Sequence, residues 1–447
     1  MDVEEFARRQ IAAGTDKEET ARRLQKHILN IKKCSPEYAL SFADAVVKEV
    51  ITTSGLEGDF FSFTPAGVSM GEFGVGSRGA GDFFAHRQFP KIIGSAGTGP
   101  EVDVSVAEMD DAGAVRGDGK YIISTVDGMH SRLSDFPFLA GFHVTRATLR
   151  DVYVMGAKPV SLLSDIHVAD DGDVAKVFDY TAGIAVVSEA MEIPLVTGST
   201  LRIGGDMVLG ERMTGCVGAV GVSDHLTARK ATQPGDVILM TEGAGGGTIA
   251  TAALYSGFPE VVDKTINLFF LKACEALLKS DVLTEIHSMT DVTNGGLRGD
   301  VYEMAETADC RIVIEEKNLR GLVQPDVLKM LDRLEIDYLG VSLDALLIVA
   351  PPESADEIIR VVNTAGVRME RIGYVEEGSP ESILLEDGKE TDFQPKFRES
   401  AYTPVKKVVD TEKRNFEEMK EKVEMAADEA VLKKTRVLTL LNKPDRQ

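Results

Sequence analysis

Apolar positions recur at helical spacing through residues 1 to about 55. Val3, Phe6, Ala7 and Ile11 share one face, and Ala21, Leu24, Ile28 and Ile31 form a second stripe after Thr15-Asp16-Lys17-Glu18, which resembles a capping box. Ser35-Pro36 provides an N-cap and a proline at the first helical position, which opens a third helix through Val47. From about 60 to 225 the period shifts to alternating strands and helices. Residues 120–126 read as an apolar strand ending at Asp127, and 139–155 as a helix closed by Gly156 with Pro159 beyond it. A further helix covers about 173–191, with strands at 194–196 and 215–222. Pro234-Gly235-Asp236 is turn chemistry and marks a boundary. Beyond it come a strand at 237–241, a loop holding glycines 243, 245, 246 and 247, helices at 265–278 and 299–307, and strands at 311–314 and 346–349. The tail from about 400 is charged and helical, with Phe416, Met419, Val423 and Ala426 on one face. The terminal helices dock on the main body or on a partner.

Composition narrows the function classes. The 447 residues suffice for two or three domains, and 43% hydrophobic with 27% charged residues is ordinary for a globular protein. The net charge of -23 argues against a general nucleic-acid binder, which needs a basic face. It also means that a polyphosphate ligand requires metal ions and directed backbone amides. The four cysteines, Cys34, Cys216, Cys274 and Cys310, are scattered without a Cys-x-x-Cys pair, so zinc-ribbon and disulfide frameworks are disfavoured and a reducing, cytoplasmic setting is expected. The acidic N-terminus lacks a signal-peptide core, and no run approaches a membrane span.

The densest glycine run is Gly71, Gly74, Gly76, Gly79 and Gly81, closing at Asp82. Glycine lets a backbone approach a ligand and aim consecutive amides at phosphate oxygens. The Walker A spacing is absent and a Rossmann fingerprint fits poorly, so the run equally suits a flexible surface loop. Arg78, His86 and Arg87 add positive charge nearby. Asp110-Asp111, bounded by small residues, offers hard oxygen ligands for magnesium or an ordinary acidic turn. Asp127 ends an apolar strand, where open α/β sheets collect ligands. Asp151 lies in a mostly apolar helix and is by itself a cap or ion-pair partner. Thr290-Asp291-Val292-Thr293-Asn294-Gly295-Gly296 leads from a strand into a helix, so Asn294 and Gly295 stand where amides bind anions and Asp291 where a cation could bridge phosphates. A plain N-cap is the ordinary alternative there.

The order of these motifs resembles the superfamily of aminoimidazole ribonucleotide (AIR) synthetase, selenophosphate synthetase, thiamine-monophosphate kinase and the hydrogenase maturation factor HypE. Asp110-Asp111-Ala112 looks like its Asp-Asp-Ala segment, and Ser124-Thr125-Val126-Asp127 like its strand ending in a metal-binding aspartate. The most specific match is Asp151-Val152-Tyr153-Val154-Met155-Gly156-Ala157-Lys158-Pro159. Val196-Thr197-Gly198-Ser199-Thr200, Gly235 to Thr241 and Thr290 to Leu297 follow in the family's order. The resemblance implies a two-domain PurM-like α/β (α+β) fold: a helical extension at 1–58, an ATP-binding domain at 59–228, a C-terminal α/β domain at 229–390 and a helical extension at 391–447. The first domain's strands would pair across a homodimer into a barrel, with ATP in a cleft. Asp110, Asp111, Asp127, Asp151 and Asp291 would hold Mg2+. Gly74, Gly76, Arg78, Gly79, Gly81, Thr200, Asn294 and Gly295 would contact the nucleotide, the glycine run acting as a lid or phosphate-contacting strand. Asp127 and His86 would be catalytic, His86 as a proton carrier.

Two departures limit what the resemblance implies about the reaction. Selenophosphate synthetases carry a reactive Cys or selenocysteine in the N-terminal glycine segment, and residues 60–90 here hold no cysteine. HypE-type proteins end in a cysteine-bearing tail, and this chain ends Lys443-Pro444-Asp445-Arg446-Gln447. An AIR-synthase-related branch fits best. The expectation is a Mg-ATP-dependent synthetase or phosphotransferase that phosphorylates an amide, carbonyl or similar acceptor of a small molecule. The alternative is a non-catalytic nucleotide-binding scaffold or maturation factor acting with a partner protein.

Overall fold

A computed structural model describes residues 1–293, 295–399, 401–411 and 415–442. They form two compact units. The first comprises Met1–Phe63, Gly128–Val144 and Leu163–Val217; the second comprises Thr64–Asp127, Thr145–Leu162 and Gly218–Gln447.

The predicted N-terminal helices appear in the first unit as Val3–Ala12, Lys17–Ile31 and Pro36–Thr53. The cap of the second is Asp16, whose carboxylate accepts from the amides of Glu18 and Glu19. The third runs past Val47 because Val50 continues its buried stripe. Leu24, Ile28, Ala43, Val46 and Val50 close a core with Leu209, and the Val3 amide donates to the Met207 carbonyl at 2.9 Å. Each leucine, isoleucine or valine among them contributes about 1.5–3 kcal/mol on burial. The helices therefore dock on their own chain.

Six strands make one sheet: β1 (Val102–Val104), β2 (Gly113–Gly117), β3 (Lys120–Gly128), β4 (Lys158–Val168), β5 (Leu195–Arg202) and β6 (Met213–Ser223), in the order β1-β2-β3-β6-β4-β5. β2 and β3 form a hairpin with Gly117 opposite Lys120. Asp118 and Gly119 both have positive φ, 53° and 76°, as a tight hairpin turn demands. β5 extends further than its short apolar core suggests, because its outer residues are mostly exposed.

Seven strands make the other sheet: β7 (Val237–Thr241), β8 (Ser288–Asp291), β9 (Arg311–Glu315), β10 (Leu346–Ala350), β11 (Met369–Glu376), β12 (Glu381–Glu386) and β13 (Lys389–Asp392), in the order β13-β12-β9-β11-β7-β10-β8. β7, β8 and β10 are buried at every residue, and β7 and β10 accordingly read as apolar runs, whereas β8 (Ser-Met-Thr-Asp) is buried in spite of its polar side chains. β8 pairs antiparallel with β10, and this places Asp291 opposite Leu346. The helix expected at 265–278 begins only at Phe269 (Phe269–Leu278), a separate short helix, Pro259–Thr265, precedes it, and the tail divides into Pro404–Asp410 and Phe416–Leu441. Among the described residues no helix is long and apolar enough to cross a membrane.

Candidate active site

The second unit holds all five sequence-selected aspartates. Asp110 and Asp111 precede β2, Asp127 lies one residue from the end of β3, Asp151 sits in the last turn of the Pro137–Val154 helix, and Asp291 ends β8. Arg229, which follows β6 in a short 3-10 turn, binds the first pair together. Its amide donates to Asp110 at 2.9 Å, and its guanidinium donates to Asp111 at 2.7 Å, to Glu303 at 3.0 Å and to the Met109 carbonyl at 2.9 Å. The Thr290 hydroxyl donates to the other Asp111 oxygen at 2.7 Å. The Thr125 hydroxyl, two residues before Asp127 on β3, donates to Asp151 at 2.8 Å.

Asp291 differs from the rest. It is 0% exposed, and neither of its carboxylate oxygens has a hydrogen-bond partner. Its nearest cation is Arg150, whose Nε stands 3.0 Å from Oδ2 without hydrogen-bonding alignment. Arg150 and Arg146, one turn apart, both pair with buried Asp344. A buried carboxylate without donors is costly unless a cation or ligand satisfies it.

The electrostatics follow from this crowding. Loss of hydration pushes Asp110 up to about 7, with Asp111 adding to the rise and Arg229 opposing it. Asp291 is likewise raised to about 7 by burial, opposed by Arg150 and reinforced by Asp111 and Asp127. Burial raises Asp151 well above the carboxylate range, and its neighbours Asp127, Asp291 and Asp111 add to it. Asp127 is raised by lost hydration against the pull of Arg150 and Arg78. Negative charge therefore exceeds what the local guanidiniums neutralise, and oxygen-only donors in that state suit a hard divalent cation. Among the described residues no group of three or more His, Cys, Asp or Glu side chains is arranged to hold a metal ion by itself. Magnesium commonly takes only one or two carboxylates, with waters and substrate phosphates completing its shell, and the orphaned Asp291 carboxylate fits that role.

The glycine segment departs from expectation. It is neither a strand nor a loose loop: Met70–Phe73 and Ala80–His86 are short helices, and Gly74 and Gly76 turn between them with φ of 75° and 82°. The amides of Gly76 and Arg78 donate to the fully buried Asp82 carboxylate at 2.9 and 2.8 Å, so they are already occupied. Gly79 and Gly81 serve close packing, since a Cβ there would stand 2.4 Å from the Phe397 carbonyl oxygen and 2.0 Å from that of Phe73. Arg78 donates to Glu303 at 2.7 Å and lies 3.6 Å from Asp300. His86 faces Asp82 at 3.8 Å and packs its ring against Phe89.

Gly295, at φ 113°, caps the Gly296–Ala308 helix, and Asn294 lies outside the described residues. Asp300, one turn into that helix, accepts from the Thr293 amide at 2.9 Å and is raised to about 8 by burial. Thr200 is an exposed residue of β5 in the first unit. Sequence reasoning missed Arg146, Arg150, Arg229, Asp300, Glu303 and Asp344. A signal existed for the first two: arginines at i and i+4 in a mostly apolar helix need a buried acid. Arg229 carries none, because its partners lie far along the chain.

Family models match residues 109–222 as the N-terminal domain and 233–386 as the C-terminal domain of AIR synthase related proteins. The chain belongs to the AIR synthase related family. An uncharacterized protein of Methanocaldococcus jannaschii is 51% identical over 99% of this chain and 98% of its own length. Carbamoyl dehydratase HypE of Rhodobacter capsulatus is 30% identical, over 46% of this chain and 60% of that protein. Selenide, water dikinase of Myxococcus xanthus is 29% identical, over 48% of this chain and 61% of that protein. Among solved structures, the HypE–HypF complex aligns with a TM-score of 0.55 at 19% identity, covering 69% of this chain and 99% of that one. HypE in complex with ATP aligns with a TM-score of 0.53 at 18% identity, covering 69% and 92%. At these identities the structural matches establish the shared PurM-like fold. The two family models leave residues 1–108 and 387–447 unmatched.

Proposed function

We propose that this protein is a Mg-ATP-dependent enzyme that transfers the γ-phosphate to an amide or carbonyl oxygen of a small molecule. One observation carries the reading: a fully buried carboxylate without donors, Asp291, ends β8 four residues before a glycine-capped helix N-terminus. Cation ligand and anion-binding amides then adjoin in one short segment. The ATP-bound HypE relative and the selenide, water dikinase relative favour the same ligand.

In this reading Asp291 and Asp127 would hold the cation, and Asp110, Asp111 and Asp151 would set the surrounding field. Bound magnesium supplies neutralisation of charge developing on the phosphates. Arg229 and Thr290 lock Asp111, and Thr125 locks Asp151, so neither carboxylate must reorganise as charge moves. The amides that open the Gly296–Ala308 helix orient the phosphates. The acceptor oxygen attacks the γ-phosphorus in line, the bond to the bridging oxygen breaks, and ADP leaves. An amide oxygen phosphorylated in this way becomes a leaving group for a second nucleophile. His86 remains a candidate proton carrier, as Thr200 remains a candidate nucleotide contact.

A homodimer also belongs to this reading. β5 is an edge strand with Val196 and Leu201 61% and 57% exposed, and such edges are ordinarily covered. Calorimetry with Mg-ATP tests the nucleotide site, and labelled ATP incubated with a small-molecule extract identifies the acceptor. Micromolar binding and a labelled metabolite are expected. Binding without turnover under all acceptor conditions replaces the enzyme with a nucleotide-binding scaffold, and absence of binding removes both.

A further inference from the structure

The tail beyond the family-matched residues returns to the glycine segment and holds it in place. The Ala80 amide donates to the Lys396 carbonyl at 2.9 Å. The Arg398 guanidinium donates to the Glu72 carbonyl at 2.8 Å and also reaches that of Gly71. Phe416, at the start of the last helix, lies 5.8 Å from the Phe73 ring and 5.0 Å from the Phe397 ring, centroid to centroid. Further along that helix the Lys434 ammonium donates to the carbonyls of Ile92 and Ile93, at 2.6 and 3.0 Å.

The tail is itself anchored on the helix that begins at Gly296. Arg298, in its first turn, donates to the buried Glu399 at 2.9 Å and to Asp337 at 2.7 Å. Lys396 donates to the same Asp337 oxygen at 3.0 Å. The other side of the glycine segment rests on the start of this helix. A Cβ on Gly295 would stand 2.7 Å from Arg78 Cβ and 2.9 Å from its carbonyl oxygen, so Arg78 covers Gly295 directly. The Arg78 guanidinium is fastened to Glu303 of the same helix.

We propose that residues 394–441, on their described positions, form a strap that holds the segment 70–94 shut over the N-terminus of the Gly296–Ala308 helix, and that releasing the strap admits the nucleotide. The inference rests on the nucleotide reading above and adds how that same site opens. Arg398 and Phe416 join tail to segment and touch none of the aspartates. The double variant R398A/F416A therefore loosens the strap and leaves the site's own groups in place.

Hydrogen–deuterium exchange of the full-length protein tests the device without any ligand. In the double variant, peptides from 70–94 are expected to exchange about tenfold faster, with amides 295–299 following and β7 and β10 unchanged. Equal exchange at 70–94 in variant and wild type overturns the strap, and faster exchange there without change at 295–299 overturns the covering role. Should the double variant fail to fold, K434M removes only the two carbonyl contacts near the end of the segment, and a faster exchange confined to 85–94 is expected. Stopped-flow association of a fluorescent ATP analogue with magnesium reads the access step. About tenfold faster association is expected in the variant, and equal rates overturn the gate. If neither protein binds the analogue, the nucleotide reading falls and the access step with it, while the exchange data still decide the strap.

Discussion

Two carboxylates in the second unit, Asp82 and Asp291, are both fully buried, yet their surroundings are opposite. Asp82 accepts two backbone amides from its own loop, whereas Asp291 accepts none. Asp82 completes a local fold: it organises the turn through Gly76 and Arg78. Asp291 leaves coordination capacity open at the end of a fully buried strand. Burial alone therefore does not separate these two environments; the count of donors does.

The largest effect that would break this contrast is at Asp291. D291N is expected to lower phosphoryl transfer on the order of 100-fold or more, with Mg-ATP binding weakened in calorimetry. Its melting temperature without nucleotide should stay level, because the neutral side chain sheds the cost of a buried charge without donors while Arg150, which loses that neighbour, keeps its pair with Asp344. Wild-type turnover in this variant would make Asp291 as structural as Asp82.

At Asp82 the reverse is expected. D82A leaves two loop amides without their acceptor and should destabilise by about 3 kcal/mol, read as a lower denaturation midpoint. A midpoint matching wild type would show that the loop does not depend on its acid.

A smaller effect is the pH dependence of stability. Asp110 and Asp291 are raised to about 7 and Asp300 to about 8, so between about pH 4 and 8 the folded state binds more protons than the unfolded one. Stability contributed by these groups is then greatest at the acidic end and is lost as pH rises through 7 and 8. The denaturant midpoint without ligand should fall across pH 6 to 8. Magnesium with nucleotide should flatten that slope in wild type and not in D291N.

The smallest effect lies in the N-terminal helices, where charge is solvated. Removing the exposed Arg9–Glu5 pair with E5Q should change stability by less than about 0.5 kcal/mol, against about 2–5 kcal/mol for L24A in the core beneath. A comparable cost for both would mean that the surface pair is coupled to the core.

Much of the fold was legible because local chemistry wrote it. Asp16, Ser35-Pro36, the unbroken apolar runs of β7 and β10, and the strand ending near Asp127 each depend on neighbours in sequence. The local settings of the five aspartates were legible for the same reason: Asp127 and Asp291 lie at strand ends, Asp151 in the last turn of a helix, and Asp110-Asp111 in the turn that leads into β2. The glycine run was legible as backbone in close approach, but its short helices were not, because its conformation is set from a distance. Glycine density reports that backbone must come close to something, and here that partner is the chain's own Phe397 and Phe73 carbonyls.

The sequence by itself determined the strands, the helices and which acids end them, since caps, turn glycines and apolar period act over a few residues. Only the tertiary structure decided which acids are satisfied. Arg229 reaches Asp111 across 118 positions, and Arg78 reaches Glu303 across 225. Charge neutralisation acts through space, and nothing in the local pattern of the chain reports which guanidinium will arrive.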